Sequence, residues 1–193
     1  KKIAYPSYQE FGYLYPSQFS PDNTIVQKYG IDTSKPYFLI RFAKLAAHHD
    51  VGIHGMNTQI AEHVIEVLKP HGQIYITSER EVEPQFEPYR IRINPLDMHH
   101  VMAFASLYIG DSQTMAAEAG VLGTPFVRFN DFVGRLSYIH ELEAPTDYTP
   151  RKDGYVPVID KHVPDDIHYC LGYGHKTADV EGFYRSIEKW ILE

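Results

Sequence analysis

Residues 107–125 read Leu107-Tyr108-Ile109-Gly110-Asp111-Ser112-Gln113-Thr114-Met115-Ala116-Ala117-Glu118-Ala119-Gly120-Val121-Leu122-Gly123-Thr124-Pro125. The first four residues suit a buried strand, and the small residues after Ser112 favour a helix that ends at Gly123. In a parallel sheet, ligands bind outside the carboxyl ends of the strands, and this polar turn follows such a strand. The free N–H groups and the positive dipole end of the helix therefore predict an anion site, typically for phosphate.

Three side chains of this stretch are candidates for ligand contact. Ser112 and Thr114 carry hydroxyl donors, although Ser112 is equally well explained as a helix N-cap. Glu118 is the only ionisable residue between Ser112 and Val127, and it lies four residues after Thr114 on the same helix face. A carboxylate there can accept two hydrogen bonds from a diol such as a ribose. The alternative is a solvated surface glutamate.

The rest of the chain alternates strand patterns with helix patterns at short spacing. This alternation predicts an α/β fold, a Rossmann-like parallel sheet with helices on both faces. The predicted strands are 37–42, 73–77, 89–93, 107–110 and 125–129, and the predicted helices are 21–29, 58–69, 95–105, 113–122, 132–143 and 180–192.

Composition excludes several classes of protein. Eighteen basic and 25 acidic residues give a net charge of −7, so we expect no nucleic-acid partner. No apolar run approaches the roughly 18 residues of a membrane span. The single cysteine, Cys170, allows no internal disulfide, and a cytoplasmic location is expected. The first residues lack both Met and a signal-peptide pattern, so we expect a piece of a longer chain.

Several motifs together resemble the C-terminal half of GT-B-fold proteins. They are Asn94-Pro95-Leu96-Asp97, Gly110-Asp111-Ser112-Gln113-Thr114, Glu118-Ala119 and Leu122-Gly123-Thr124-Pro125. The pattern is similar to that of the non-hydrolysing UDP-N-acetylglucosamine 2-epimerases. It is closer still to an epimerase-like family known as domain of unknown function 354, which has an Arg-containing strand, a His-Asp loop and Gly-Asp-Ser-Gln-Thr-Met followed by Glu-Ala.

The resemblance implies a nucleotide-sugar ligand, with UDP the expected carrier, and no cofactor. It places Ser112, Gln113 and Thr114 on the diphosphate and Glu118 on the ribose hydroxyls. One departure affects the expected pose of the ligand, because Gln113-Thr114 replaces the Gly-Gly of the epimerases.

The resemblance also implies an organisation of the chain in three parts. Residues 1–36 are expected to be an entry segment or linker from a missing N-terminal domain, 37–143 the nucleotide-sugar-binding domain, and 144–193 an irregular extension with a C-terminal helix.

Four further residues are candidates at the end of the first strand and on the loop that follows it. Arg41, at the carboxyl end of that strand, can bind a phosphate through two guanidinium N–H groups or pair with a nearby carboxylate. Both interpretations remain open. His48, His49 and Asp50 suggest acid–base work or sugar contact, with a hydrogen-bonded structural loop as the alternative. A metal site is disfavoured, because two adjacent histidines cannot easily point at one ion.

The leading hypothesis is therefore the nucleotide-diphosphate-sugar-binding half of a GT-B-type glycosyltransferase or epimerase-like enzyme. It would act in polysaccharide or glycoconjugate biosynthesis, and the isolated piece would be inactive. The alternative is a non-catalytic interaction module in which Gln113 and Thr114 close the phosphate turn. A phosphatase or response-regulator-like domain built on Asp50 or Asp111 is disfavoured, because the companion carboxylates and lysine are not in recognisable places.

Overall fold

The structure, a computed structural model, describes residues 9–44, 54–131, 133 and 172–192. Its strands form one sheet in the order β2-β1-β3-β4-β5, and every neighbouring pair is parallel. This confirms the predicted α/β, Rossmann-like fold. The strands are β1 Tyr37–Phe42, β2 Gln73–Ser78, β3 Leu107–Gly110, β4 Phe126–Phe129 and β5 Gly172–His175.

Helices cover both faces of the sheet, as predicted. On one face, α1, α2, α4 and α5 surround an apolar layer that includes Leu14, Val26, Val101 and Ala116. On the other face, α3 and α6 pack over a second layer. The helices are α1 Phe11–Leu14, α2 Asn23–Gln27, α3 Thr58–Leu68, α4 Met98–Ala103, α5 Gln113–Val121 and α6 Val180–Leu192.

Both ends of the described chain belong to this arrangement. Leu14 of α1 and Val26 of α2 lie in the same apolar layer as α5. At the other end, β5 pairs with β4, and Phe183 of α6 is buried in the layer on the α3 face. None of the described helices has the length and apolar character needed to cross a membrane.

The strand order creates a switch point between β1 and β3. The chain moves from β1 outward to β2, then returns to β3 on the other side of β1. In doubly wound sheets, the crevice outside the carboxyl ends of such a strand pair is where ligands bind. Gly110 closes this end of β3 tightly, because a Cβ there would lie 2.9 Å from the Arg41 carbonyl oxygen and 2.7 Å from the Tyr108 hydroxyl.

Two of the predicted elements differ from the structure. The predicted strand at 89–93 is wrong: a 3-10 helix occupies Pro84–Tyr89, and Arg90 makes an isolated bridge to Ile76. Two prolines in that segment, Pro84 and Pro88, lack the N–H that a strand ladder needs. The predicted helix at 95–105 is split into a 3-10 turn, Pro95–Asp97, and α4. The predicted helix at 132–143 lies almost wholly outside the described residues.

Candidate functional site

The N-terminus of α5 lies at the switch point, directly after β3. Ser112 has extended backbone angles, and its hydroxyl oxygen accepts a hydrogen bond from the N–H of Met115 at 3.4 Å. Ser112 is therefore an N-cap, the alternative that its sequence position left open. The N–H groups of Gln113 and Thr114 make no hydrogen bond within the described part of the chain. These two donors are oriented by the helix and are available to an anion.

The side chain of Gln113 is held by a buried cation. Arg128, on β4, is fully buried and donates a hydrogen bond from its guanidinium to Gln113 Oε1. Arg128 also lies 3.5 Å from Asn130 Oδ1, and the Asn130 amide donates to the Asp111 carbonyl at 2.8 Å. The residue that departs from the epimerase pattern is thus tied to the neighbouring strand end. Thr114, the next residue, is exposed.

Glu118 is almost completely buried, with 9% of its surface exposed. Its Oε1 accepts a hydrogen bond from the Tyr13 hydroxyl at 2.8 Å and lies 3.2 Å from His99 Nε2. The alternative of a solvated surface glutamate is therefore excluded. His100, the next residue of α4, is turned away and accepts from the Asp22 N–H at 3.0 Å. The contacts of Tyr13 and His99 with Glu118 have no signal in the local sequence.

Asp111, the first residue after β3, holds both ends of the connection between β1 and α3. Its buried carboxylate accepts from the N–H of Ala43 at 2.6 Å and from the N–H of Met56 at 3.3 Å. Burial raises the pKa of Asp111 to about 6, because the two backbone hydrogen bonds only partly offset the loss of solvation. The sequence placed Asp111 in the polar turn but did not predict this role.

Asp131, two residues after β4, anchors the same connection from the other side. It accepts from the N–H of His54 at 3.0 Å and lies 3.1 Å from His54 Nδ1. Its other oxygen accepts from the N–H and the hydroxyl of Thr177. Desolvation alone would raise the pKa of Asp131, but the hydrogen bonds from Thr177 and His54 outweigh it and lower that pKa to about 2.

A cavity of about 530 Å³ lies beside these two aspartates, on the α3 face of the crevice. Half of its lining residues have charged or hydrogen-bonding side chains, and the other half are apolar residues or glycine. The charged and hydrogen-bonding residues are Lys44, His54, Asn57, Arg80, Asp111 and Thr177. The crevice therefore has two sides, with the free N–H groups of α5 on one side of the sheet and this cavity on the other.

Arg41 is engaged in an ion pair. Its guanidinium lies 2.5 Å from Glu79 Oε1, which matches the carboxylate pairing that the sequence left open beside phosphate binding. The Arg41 Nε is buried and has no hydrogen-bond partner among the residues that the structure describes. His48, His49 and Asp50 lie outside the described residues. Within the described ranges, no group of three His, Cys, Asp or Glu side chains is arranged to hold a metal ion.

Comparisons with known proteins give partial structural likenesses. The structure of the wall teichoic acid polymerase TagF is 11% identical with a TM-score of 0.47, covering 95% of this chain and 41% of that protein. The structure of UDP-GlcNAc 2-epimerase from Neisseria meningitidis bound to UDP-GlcNAc is 15% identical with a TM-score of 0.36, covering 55% of this chain and 30% of that protein. This chain thus spans less than half the length of either.

No protein-family model matches the chain, and the curated proteins contain no match to it. The predicted relationship to domain of unknown function 354 therefore stays a prediction. The α/β fold itself follows from the parallel sheet and its strand order.

Proposed function

We propose that this chain is the nucleotide-diphosphate-sugar-binding half of a GT-B-type glycosyltransferase or epimerase-like enzyme that acts in polysaccharide or glycoconjugate assembly. One observation carries the proposal. The N–H groups of Gln113 and Thr114 point out of a nine-residue helix at the β1/β3 switch point and are unused within the described residues. A diphosphate is the ligand group that such a helix end recognises best.

The diphosphate would sit in front of α5 and accept hydrogen bonds from these two N–H groups. The exposed Thr114 hydroxyl adds a third donor beside them. The positive end of the helix dipole lowers the energy of the negative charge that grows on a departing diphosphate during sugar transfer. This stabilisation is built into the backbone, so it requires no reorganisation when the glycosidic bond breaks.

Glu118 would bind the ribose. It lies one turn further along α5 than Thr114, so a nucleoside attached to the diphosphate reaches it along the helix. A carboxylate accepts hydrogen bonds from both hydroxyls of a vicinal diol, and His99 holds the carboxylate in place from the side of α4. Gln113, fixed by Arg128, would line the diphosphate position rather than close over it.

The loop after β1 would supply contacts to the sugar. Its ends are fixed at the crevice by Asp111, through Ala43 and Met56. His48, His49 and Asp50 lie within that loop in the sequence, and we assign acid–base or sugar-contacting work to this group. Arg41 would exchange Glu79 for a phosphate when the ligand binds. The acceptor and the remaining catalytic groups would come from an N-terminal domain.

Isothermal titration calorimetry with UDP, CDP, GDP and their sugar conjugates tests the proposal. We expect weak binding of one nucleotide class, and Glu118→Gln should weaken it about tenfold, because a hydrogen bond to a charged acceptor is replaced by one to a neutral amide. Glu66→Gln, an exposed change on α3, is the matched control and should leave affinity unchanged.

A non-catalytic interaction module would behave differently in the same experiment. Absence of heat with every nucleotide, together with no thermal stabilisation, contradicts the proposal and favours that module. A true site should stabilise the fold by about 2.7 kcal/mol at a hundredfold excess of ligand over its dissociation constant.

A further inference from the structure

The contact between Tyr13 and Glu118 joins two residues that are 105 positions apart. It places a phenolic hydroxyl on the carboxylate that we assign to the ribose. Glu118 Oε1 has two partners, the Tyr13 hydroxyl at 2.8 Å and His99 Nε2 at 3.2 Å. Glu118 Oε2 makes no hydrogen bond within the described residues. It is also not one of the buried polar atoms that lack a hydrogen-bond partner there. One carboxylate oxygen is therefore occupied, and the other is open to solvent.

We propose that Tyr13 is a gate on the nucleotide site, whose hydroxyl takes the place of one ribose hydroxyl on Glu118 until the ligand displaces it. This inference rests on the proposed function. A vicinal diol binds a carboxylate best when each hydroxyl meets its own oxygen. Tyr13 blocks that two-point contact, so full recognition of the ribose requires the Tyr13 side chain to leave.

The exposure of Tyr13 leaves room for this movement. Tyr13 is 42% exposed, whereas its neighbour Leu14 is 1% exposed and lies in the apolar layer. Rotation of the Tyr13 side chain therefore frees the carboxylate while Leu14 keeps α1 in place. The Tyr13 ring also contacts His99, with ring centroids 5.6 Å apart and the ring planes tilted by 39°. His99 reaches Glu118 through its own Nε2, so that contact does not depend on the Tyr13 hydroxyl.

The test measures nucleotide affinity in Tyr13→Phe, which removes the hydroxyl and keeps the ring. Calorimetry uses the whole chain with UDP, CDP and GDP and with their 2′,3′-dideoxy counterparts. We expect Tyr13→Phe to bind its ribonucleotide about fivefold more tightly than the parent chain, because one competing hydrogen bond is gone. The gain should be absent with the dideoxy nucleotide and in a Glu118→Ala background, where position 118 has no acceptor.

A matched control is available in Tyr29, whose hydroxyl donates to Asp97 Oδ2 at 2.6 Å. Tyr29→Phe removes the same kind of contact away from Glu118 and should leave affinity unchanged, and circular dichroism confirms that each variant is folded. If a ribonucleotide binds and Glu118→Gln weakens it, but Tyr13→Phe leaves affinity unchanged or lowers it, the gate is wrong and the proposed function stands. If no nucleotide binds to the parent chain or to Tyr13→Phe, both fail.

Discussion

Asp111 and Asp131 follow neighbouring strands and hold the same connection, yet their environments are opposite. Asp111 is buried, and loss of solvation raises its pKa to about 6. Asp131 is partly exposed, and the hydrogen bonds from Thr177 and His54 lower its pKa to about 2. Asp131 has four hydrogen-bond contacts near the surface, whereas Asp111 has two backbone donors in a buried position, and those two do not offset its loss of solvation.

The difference separates two ways of fixing a loop at a crevice. At the end of β4, the ionised carboxylate of Asp131 accepts hydrogen bonds from His54 and Thr177 near the surface. At the end of β3, a carboxyl group with limited solvation lies next to the proposed diphosphate position. The pKa values of both aspartates are shifted, but only that of Asp111 is raised toward neutral pH, where a carboxyl group can exchange protons, so the β3 end is the better candidate for chemistry.

The largest expected effect is the pH dependence that comes from Asp111. Because its folded pKa is raised, its stabilising contribution is complete below about pH 4 and is lost as the pH rises through 6, by about 2–3 kcal/mol. Asp111→Asn cannot ionise. Urea denaturation should show the variant gaining this amount relative to the parent chain between pH 4 and pH 7. A difference in free energy of unfolding that is independent of pH contradicts the comparison.

A smaller loss of stability is expected for Gly110→Ala, which tests how closely the β3 end is packed. The new Cβ would lie 2.9 Å from a backbone oxygen of β1, so the strands must shift, at a cost of roughly 1–3 kcal/mol in the free energy of unfolding. Gly12→Ala is the control, since a Cβ there meets nothing within 4 Å. Equal melting curves for the two variants show that the β3 end is not tightly packed.

The smallest expected effect belongs to Asp131→Asn. Because the pKa of Asp131 is lowered in the folded state, its ionised carboxylate stabilises the fold above about pH 4. This contribution is lost as the pH falls through about 2. The substitution should therefore cost about 1 kcal/mol at pH 7 and less at pH 3. The cost is small because the contact with His54 is largely exposed to solvent. This slope with pH is opposite to that of Asp111. Slopes of the same sign in chemical denaturation reject the distinction between the two strand ends.

Local signals made much of the fold predictable. The apolar run of β1 and the small residues of α5 that end at Gly123 are each encoded within one short segment. Gly123 has a φ of 79°, the left-handed conformation that suits glycine after a helix. Strand β5, Gly172–His175, was missed, because four residues with two glycines carry neither a hydrophobic run nor an alternating pattern.

The candidate site was less predictable, because its contacts join distant segments. The position of Ser112 before a helix indicated a cap, and the structure shows one. Nothing near Gln113 in the sequence indicates that Arg128 binds its amide. The aromatic N-terminal segment likewise carries no signal that Tyr13 meets Glu118. Such contacts depend on how the layers pack, which residue types and spacing do not specify.

The carboxylate of Asp111 accepts hydrogen bonds from Ala43, just after β1, and from Met56, just before α3, so one side chain fixes two points of this connection, and Asp131 fixes a third at His54. Replacing residues 45–53 with a segment of equal length should therefore leave the sheet and these three anchor points in place, as long as the acids at positions 111 and 131 are retained.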